Sequence, residues 1–201
     1  MSDAFDHAVV IVGSGPTGMM LAAELALAEV DVMILERRPD QGLDGSRAGG
    51  LHSRAIELLD QRGAAERFLS EGYTAQIASF GETKLDLSDL PTRHPYGLAL
   101  WQKHFERIMA EWIRELGVAV RYGQGVTGFS QDEVGVADAH AGGSALRARY
   151  LVGCDGGRSR IRKDAGIDFP GAKETKTTLV AEARMEDKSG SGLHRGPLGV
   201  G

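Results

Sequence analysis

Two short, fully apolar runs open the chain, and a glycine-rich turn and an apolar segment lie between them. The runs are Ala8–Val12 and Val32–Leu35, and such runs are typical of strands buried on both faces of a parallel sheet. Between them, Gly13–Gly18 predicts a tight turn, and Met19–Glu29, rich in Ala, Leu and Met, predicts a helix. The start of the chain therefore predicts a strand–helix–strand unit.

Later parts of the chain alternate between helical and period-two spacing. Apolar residues recur at helical spacing in Gln102–Leu116, and His52–Gln61 predicts a shorter helix that Gly63 stops. Period-two alternation over Gly125–Arg149 predicts a small antiparallel meander. The other predicted elements are a loop at Gln41–Gly50, weak strands and loops at Tyr73–Leu98, strands at Val118–Tyr122, Tyr150–Cys154 (buried) and Thr177–Met185, a helix at Arg158–Ala165 closed by Gly166, and a loop at Asp187–Gly201.

Together these elements predict an α/β fold, with a Rossmann-like parallel sheet and a β-meander. The composition agrees with an ordinary globular protein, since 42% of the residues are apolar and 25% are charged. The net charge of −5 disfavours nucleic acid as a partner. A single cysteine excludes an internal disulfide and favours the cytoplasm. The N-terminus does not look like a signal peptide, and no apolar run reaches the roughly 18 residues that a membrane span needs.

The turn matches the GxGxxG pattern as Gly13-Ser14-Gly15-Pro16-Thr17-Gly18. In this pattern the first glycine permits the turn, the second lets a pyrophosphate approach the backbone, and the third lets the helix pack on the strand. The helix N-terminus then offers free N–H groups to the phosphates. Glu36, at the end of the second strand, would accept both ribose hydroxyls and repel a 2′-phosphate, which favours FAD or NAD over NADP. The alternative is a turn that only connects a strand to a helix.

Two other stretches carry alternatives. Gly123–Gly128 also matches GxGxxG, but no helix follows it. Asp155 ends a predicted strand, where it could bind sugar or ribityl hydroxyls while Gly156 lets the backbone come close; the alternative is a helix N-cap followed by permissive glycines. The basic residues of the helix that follows could attract a phosphate or form a solvated face paired with Asp164 and Asp168: Arg158, Arg160, Arg162 and Lys163.

Six stretches of the chain, from the glycine turn at Gly13–Gly18 to Tyr150–Lys163, together carry a resemblance to a known family. They resemble the single-component FAD-dependent aromatic hydroxylases, in particular the polyketide-tailoring hydroxylases and the related rifampicin monooxygenases. The resemblance implies that NADPH reduces FAD and that O2 is then used to hydroxylate an aromatic substrate. It covers about residues 8–180 and rests on Gly13–Gly18, Glu36-Arg37, Ser46-Arg47, Ile56–Gly63, Gln102 and Tyr150–Lys163.

The resemblance also implies roles for individual residues. Glu36 would bind the adenosine ribose and Thr17 the pyrophosphate, while Arg37 and Arg47 would line the phosphate and ribityl region. By the same resemblance, three further residues would contact FAD through different groups: Gln102 at the ribityl or pyrophosphate portion, Val126 at adenine through its backbone, and Asp155 as part of an Asp-Gly motif tied to FAD and NADPH.

The chain departs from that family in its length and in lacking the family's second, Gly-Asp motif. We therefore expect it to be the N-terminal part of a longer hydroxylase, with residues 1–176 in the FAD-binding domain and residues 177–201 beginning a substrate domain. No side chain stands out as a catalytic acid or base, and no histidine or cysteine pattern predicts a metal site. The competing readings are an NAD-dependent dehydrogenase or reductase and a non-catalytic adenine-nucleotide-binding module.

Overall fold

The structure is a computed structural model of the chain, and it describes residues 5–42, 48–80, 83–140, 145–172, 175, 177, 195–196 and 199–200. Two compact units are distinguished, Met1–Phe169 and Pro170–Gly201. Within the described residues, the helices are α1 (Pro16–Leu27), α2 (Ser53–Asp60), α3 (Ala65–Leu69), α4 (Gln102–Glu115) and α5 (Arg160–Asp164).

The described strands form four sheets. The largest contains β1 (His7–Val12), β2 (Val32–Leu35), β8 (Ala119–Arg121), β9 (Val126–Gln131), β10 (Val136–His140) and β11 (Ala145–Gly153). The smaller ones contain β3 (Gly50–Leu51), β4 (Tyr73–Ala75) and β7 (Gly97–Ala99); β5 (Ile77–Phe80) and β6 (Thr83–Asp86); and β12 (Arg195–Gly196) and β13 (Gly199–Val200).

The large sheet has the order β8-β2-β1-β11-β10-β9, and its first four strands are parallel. Val12, the last residue of β1, lies opposite Leu35 of β2 and Gly153 of β11. The four parallel strands therefore end at one edge of the sheet, which is where open α/β sheets bind ligands. Strand β10 pairs antiparallel with both β9 and β11. The predicted α/β class, parallel sheet and meander are confirmed.

The main core lies on the face of this sheet that α1 and α4 cover. Ile11 and Ile34 from the sheet and Met109 and Ile113 from α4 are completely buried there. Each such side chain contributes roughly 1.5–3 kcal/mol through the area it removes from water. Alternate strand residues point to the other face, where a smaller cluster forms: Val10, Met33, Leu35, Leu146 and Ala148.

The structure corrects the prediction for Tyr150–Cys154. These residues are not a separate buried strand, because Tyr150–Gly153 continue the strand that begins at Ala145. With no glycine or proline before Gly153, one long strand pairs antiparallel with β10 at its start and parallel with β1 along most of its length. Tyr150 is 59% exposed, so the apolar run predicted burial wrongly at this position.

Smaller differences concern element ends. Helix α1 begins at Pro16, earlier than predicted, because proline is well suited to the first turn of a helix. Helix α3 was not predicted, since it has only five residues. The loop predicted at Asp187–Gly201 contains the paired strands β12 and β13, so that prediction was wrong there. Apart from Thr177, the strand predicted at Thr177–Met185 lies outside the described residues. No helix in the described ranges is both long and apolar enough to cross a membrane.

Candidate functional site

Two glycines of the first turn are required by close packing. Gly13 has φ +105°, and a Cβ there would lie 2.5 Å from the carbonyl oxygen of Cys154. A Cβ on Gly18 would lie 2.0 Å from the carbonyl oxygen of Gly13. Any side chain at either position therefore has to displace backbone. These contacts agree with the packing roles that the pattern predicts for its first and third glycines.

Gly15 is different because it faces open space. It is the N-cap residue of α1, Pro16 follows it in the first turn, and a Cβ on Gly15 would meet nothing within 4 Å. Thr17 is exposed. The first N–H groups of a helix have no acceptor within the helix, and the helix dipole favours an anion beside them. The turn therefore leaves a free approach to the N-terminus of a 12-residue helix, as a pyrophosphate requires.

Glu36 lies beside this turn at the end of β2 and is only 8% exposed. Its Oε2 accepts hydrogen bonds from the N–H of Ser14 at 2.7 Å and from the Ser14 hydroxyl at 2.8 Å. Its Oε1 accepts one from the N–H of Arg38 at 2.8 Å. Burial raises the pKa of Glu36, but these donors and the Arg38 charge lower it by more, so its pKa lies below the ordinary value. The site therefore holds an ionised acceptor next to the open helix end.

A second layer of polar residues surrounds Glu36. The Arg38 guanidinium donates to the Ser14 carbonyl oxygen at 3.2 Å and to Glu106 of α4 at 3.2 Å. Gln102, the first residue of α4, donates to Glu106 at 2.7 Å. Sequence reasoning identified Glu36 and Gln102 but missed Ser14, Arg38 and Glu106. The i, i+4 spacing of Gln102 and Glu106 was the one sequence signal that could have indicated part of this network.

The second glycine turn docks against the same place. The N–H groups of Gly123 and Gln124 donate to the carbonyl oxygens of Arg38 and Glu36, at 2.7 and 2.8 Å. A Cβ on Gly125 would lie 3.3 Å from Cγ of Arg37, whose side chain is exposed. Val126 follows this turn as the first residue of β9 and is half-buried. The structure thus brings Arg37 and the turn before Val126 next to Glu36.

Asp155 lies at the same edge, and its carboxylate binds the first turn of α5. The N–H of Cys154 donates to the carbonyl oxygen of Val12 at 2.7 Å, which sets Asp155 beside the first glycine turn. Its carboxylate accepts from the Ser159 hydroxyl at 2.5 Å and from the N–H of Arg160 at 2.6 Å. The N-cap residue of α5 is Ser159, whose hydroxyl accepts from the N–H of Arg162, so the capping alternative is realised only in that Asp155 supplies acceptors to the first turn. Gly156 has φ +81°, and a Cβ on it would meet nothing within 4 Å.

Part of the basic cluster after Asp155 is engaged locally. Arg160 donates to Asp164 at 2.8 Å. Arg162 donates to the carbonyl oxygen of Ile167 at 2.8 Å and lies 5.1 Å from the ring centre of Phe169. These contacts favour the solvated-face interpretation for the two arginines.

Arg47 lies outside the described residues. Trp112 is buried in the core, whereas Trp101, the N-cap residue of α4, is 58% exposed. Burial and then the charge of Asp155 raise the pKa of the Cys154 thiol, which agrees with a small packing residue. Among the described residues, no group of three or more histidine, cysteine or acidic side chains could hold a metal ion.

Comparison with known proteins decides the family. The chain matches the family described as "FAD binding domain" over residues 6–191. The chain belongs to this family. Membership of this family identifies FAD as the nucleotide of the domain.

Individual relatives support the assignment to this family. The chain is 46% identical over 179 residues to rifampicin monooxygenase of Streptomyces venezuelae, covering 88% of this chain and 37% of that protein. It is 41% identical over 195 residues to 12-dehydrotetracycline 5-monooxygenase/anhydrotetracycline 6-monooxygenase of Streptomyces rimosus, covering 94% and 39%. The solved structure of OxyS anhydrotetracycline hydroxylase from Streptomyces rimosus matches with a TM-score of 0.80 and 44% identity, over 83% of this chain and 35% of that chain. The chain thus spans well under half the length of these relatives.

Proposed function

We propose that the chain is the FAD-binding part of a monooxygenase that uses NADPH and O2 to hydroxylate an aromatic, polyketide-type substrate. The observation that carries the proposal is the open approach over Gly15 beside the ionised, nearly buried carboxylate of Glu36. The relatives named as rifampicin and tetracycline-pathway monooxygenases support the reaction and the substrate class.

The described residues fit the two chemically distinct parts of the FAD adenosine diphosphate. Glu36 would accept a hydrogen bond from one ribose hydroxyl, and not from both as the sequence predicts, because protein donors already take three of its roughly four acceptor positions. The first N–H groups of α1, including that of Thr17, would hold the pyrophosphate. Gly13, Gly15, Pro16 and Gly18 would shape that cradle. The remaining proposed FAD contacts are Arg37, Gln102, Val126, Asp155 and Gly156, with Arg47 proposed from the sequence resemblance.

FAD would supply the redox chemistry when bound, and the protein would orient it and exclude water. We propose no catalytic side chain among these residues. We also propose that the FAD-binding domain takes residues 1–176 and that residues 177–201 begin a substrate domain.

The test is to purify the full-length protein and identify its cofactor by absorption and by chromatography of the released nucleotide. A bound oxidised flavin released as FAD, with NADPH consumption stimulated by a polycyclic aromatic substrate and a product heavier by one oxygen, supports the proposal. Released NAD and no flavin would instead indicate the dehydrogenase alternative. Bound FAD with no turnover on any aromatic substrate would contradict the proposed reaction while leaving the cofactor assignment standing.

A further inference from the structure

A buried acid on α4 has no part in the proposed contacts with FAD. Glu106 is 3% exposed, although acidic side chains are almost never fully buried without partners. Its two carboxylate oxygens face different partners. Oε1 accepts from the Gln102 amide at 2.7 Å, and Oε2 accepts from the Arg38 guanidinium at 3.2 Å.

Arg38, which binds Glu106, also contacts the first glycine turn. Its Nη2 donates to the Ser14 carbonyl oxygen at 3.2 Å and to the Ser14 hydroxyl at 3.1 Å. Its Nε lies 3.5 Å from Oε1 of Glu36. A planar guanidinium presents its donors in a fixed fork, so the position of Arg38 constrains all of these partners at once.

The result is a continuous polar path between two proposed FAD contacts, in which the Arg38 guanidinium reaches Glu36 through an ion pair and through the Ser14 hydroxyl. Gln102 stands at one end and Glu36 at the other, with Glu106 and Arg38 between them. Breaking a buried charge pair on one side leaves the other charge uncompensated, so each member depends on its neighbours.

We propose that Glu106 is a positioning residue for FAD. It holds Arg38 and Gln102 in place without touching the cofactor, and it thereby couples the site for the adenosine ribose to the site for the ribityl or pyrophosphate portion. The inference rests on the proposed function, because it takes Glu36 and Gln102 as FAD contacts.

The direction in which Glu106→Gln changes FAD affinity distinguishes a positioning role from a purely electrostatic one. Glu36 and Glu106 are both acids, Arg38 is the cation between them, and the pyrophosphate of FAD is an anion. If Glu106 acted on FAD only through its charge, Glu106→Gln would lessen repulsion and tighten binding. If Glu106 holds Arg38 and Gln102 in position, the same substitution weakens binding.

The experiment compares the FAD dissociation constants of the full-length protein and of two isosteric variants, Glu106→Gln and the control Glu111→Gln. Glu111 lies on the same helix and pairs with Arg107 at the surface. We expect Glu106→Gln to weaken FAD binding by about tenfold or more, the scale of one hydrogen bond to a charged group, and Glu111→Gln to leave it unchanged.

A double-mutant cycle measures the coupling between Glu106 and Glu36 in FAD binding, and a general loss of stability would not produce such coupling. In a Glu36→Gln background, Glu106→Gln should weaken FAD binding much less than it does alone, because its effect passes partly through Glu36. Fully additive effects would overturn the coupling. Unchanged or tighter binding in Glu106→Gln alone would overturn the positioning role.

A second variant keeps the test decisive if Glu106→Gln does not fold. Arg38→Lys keeps the charge but loses the fork, and it should weaken FAD binding by a similar factor. Normal affinity in that variant would overturn the proposal. If the unsubstituted protein binds no FAD, the proposed function itself is wrong. If the unsubstituted protein and Glu106→Gln bind FAD equally well, only the positioning role of Glu106 is wrong.

Discussion

Ser14 and Glu36 are joined by two hydrogen bonds to one carboxylate oxygen, from the Ser14 N–H at 2.7 Å and from its hydroxyl at 2.8 Å. An ionised carboxylate offers about four acceptor positions in all. With the N–H of Arg38 also bound, three of them are taken by the protein itself. If Glu36 binds the FAD ribose as we propose, the Ser14 hydroxyl competes with a ribose hydroxyl for it, whereas the backbone N–H holds the carboxylate in place.

The first prediction removes that competitor. Ser14→Ala should lower the free energy of unfolding of the FAD-free protein by about 1–3 kcal/mol, because the hydroxyl loses two hydrogen bonds to charged groups, one donated to Glu36 and one accepted from Arg38. Its FAD affinity should be equal to or higher than that of the parent, because one acceptor position of Glu36 becomes available while Arg38 keeps its hydrogen bonds to Glu106 and to the Ser14 carbonyl oxygen. Denaturant unfolding and FAD titration measure the two effects. A clear loss of FAD affinity would show that the Ser14 hydroxyl supports binding instead.

The second prediction concerns the carboxylate itself. Glu36→Ala should weaken FAD binding by about 1–3 kcal/mol, the range for hydrogen bonds to a charged group. Glu133→Ala is the matched control. Glu133 is exposed between β9 and β10, away from the edge of the sheet at which the four parallel strands end. FAD retention measured by equilibrium titration checks the difference. Equal retention in both variants would mean that the ribose is held elsewhere.

The third prediction separates two glycines of the same turn. Gly18→Ala should destabilise the fold by roughly 1–3 kcal/mol and also weaken FAD binding, because the new Cβ would lie 2.0 Å from the Gly13 carbonyl oxygen. Gly15→Ala should lower stability by less than about 1 kcal/mol, since φ −74° suits alanine and the space is open, although alanine is a poorer N-cap residue than glycine.

Gly15→Ala should nevertheless weaken FAD binding, because its methyl group enters the approach proposed for the pyrophosphate. Thermal unfolding without FAD, together with FAD titration, distinguishes the two variants. If Gly15→Ala binds FAD normally, the pyrophosphate does not approach over this residue.

The fourth prediction tests the two roles of Asp155. Asp155→Ala should lower the free energy of unfolding by about 1 kcal/mol, as loss of a helix cap does, because the N–H of Arg160 loses its acceptor. Asp155→Asn keeps an acceptor and should cost less. If Asp155 also contacts FAD, both variants should weaken FAD binding. Normal FAD affinity in Asp155→Asn would leave the residue with the capping role alone.

The fifth prediction is a pH dependence that arises away from the FAD site. The Arg147 guanidinium and then the N–H groups of Gly135 and Val134 lower the pKa of Asp132 from 3.8 to about 2. Because the pKa is lower in the folded state, the carboxylate stabilises the fold above pH 3.8, and this contribution is lost as the pH falls towards 2.

Asp132→Asn should therefore be less stable than the parent near neutral pH, and the difference should shrink as the pH falls through this window. Unfolding midpoints measured across the range check it, with the exposed Asp168→Asn as the control. A difference that is independent of pH would show that the charge of Asp132 is not what stabilises the turn.

The start of the fold and the centre of the site could be predicted because their signals are local. Val32–Leu35 has the same bounds in the sequence prediction and in the structure. The glycine turn follows β1 as expected, although its last three residues, Pro16–Gly18, belong to α1. A run of β-branched residues and a breaker-free helix report on their own conformations, whatever lies elsewhere in the chain. Tyr150 shows the limit of such signals, because its exposure depends on what covers β11.

The sequence by itself determined the strand–helix–strand unit, the turn at Gly13–Gly18 and the acid at the end of β2, since each depends on spacing within one short segment. The tertiary structure alone decided that Arg38 meets Glu106 and that the second glycine turn docks on Glu36. The physical reason is that a hydrogen bond is short and directional, so partners far apart in the chain meet only after strand order and helix placement bring their atoms together. No local periodicity encodes that placement.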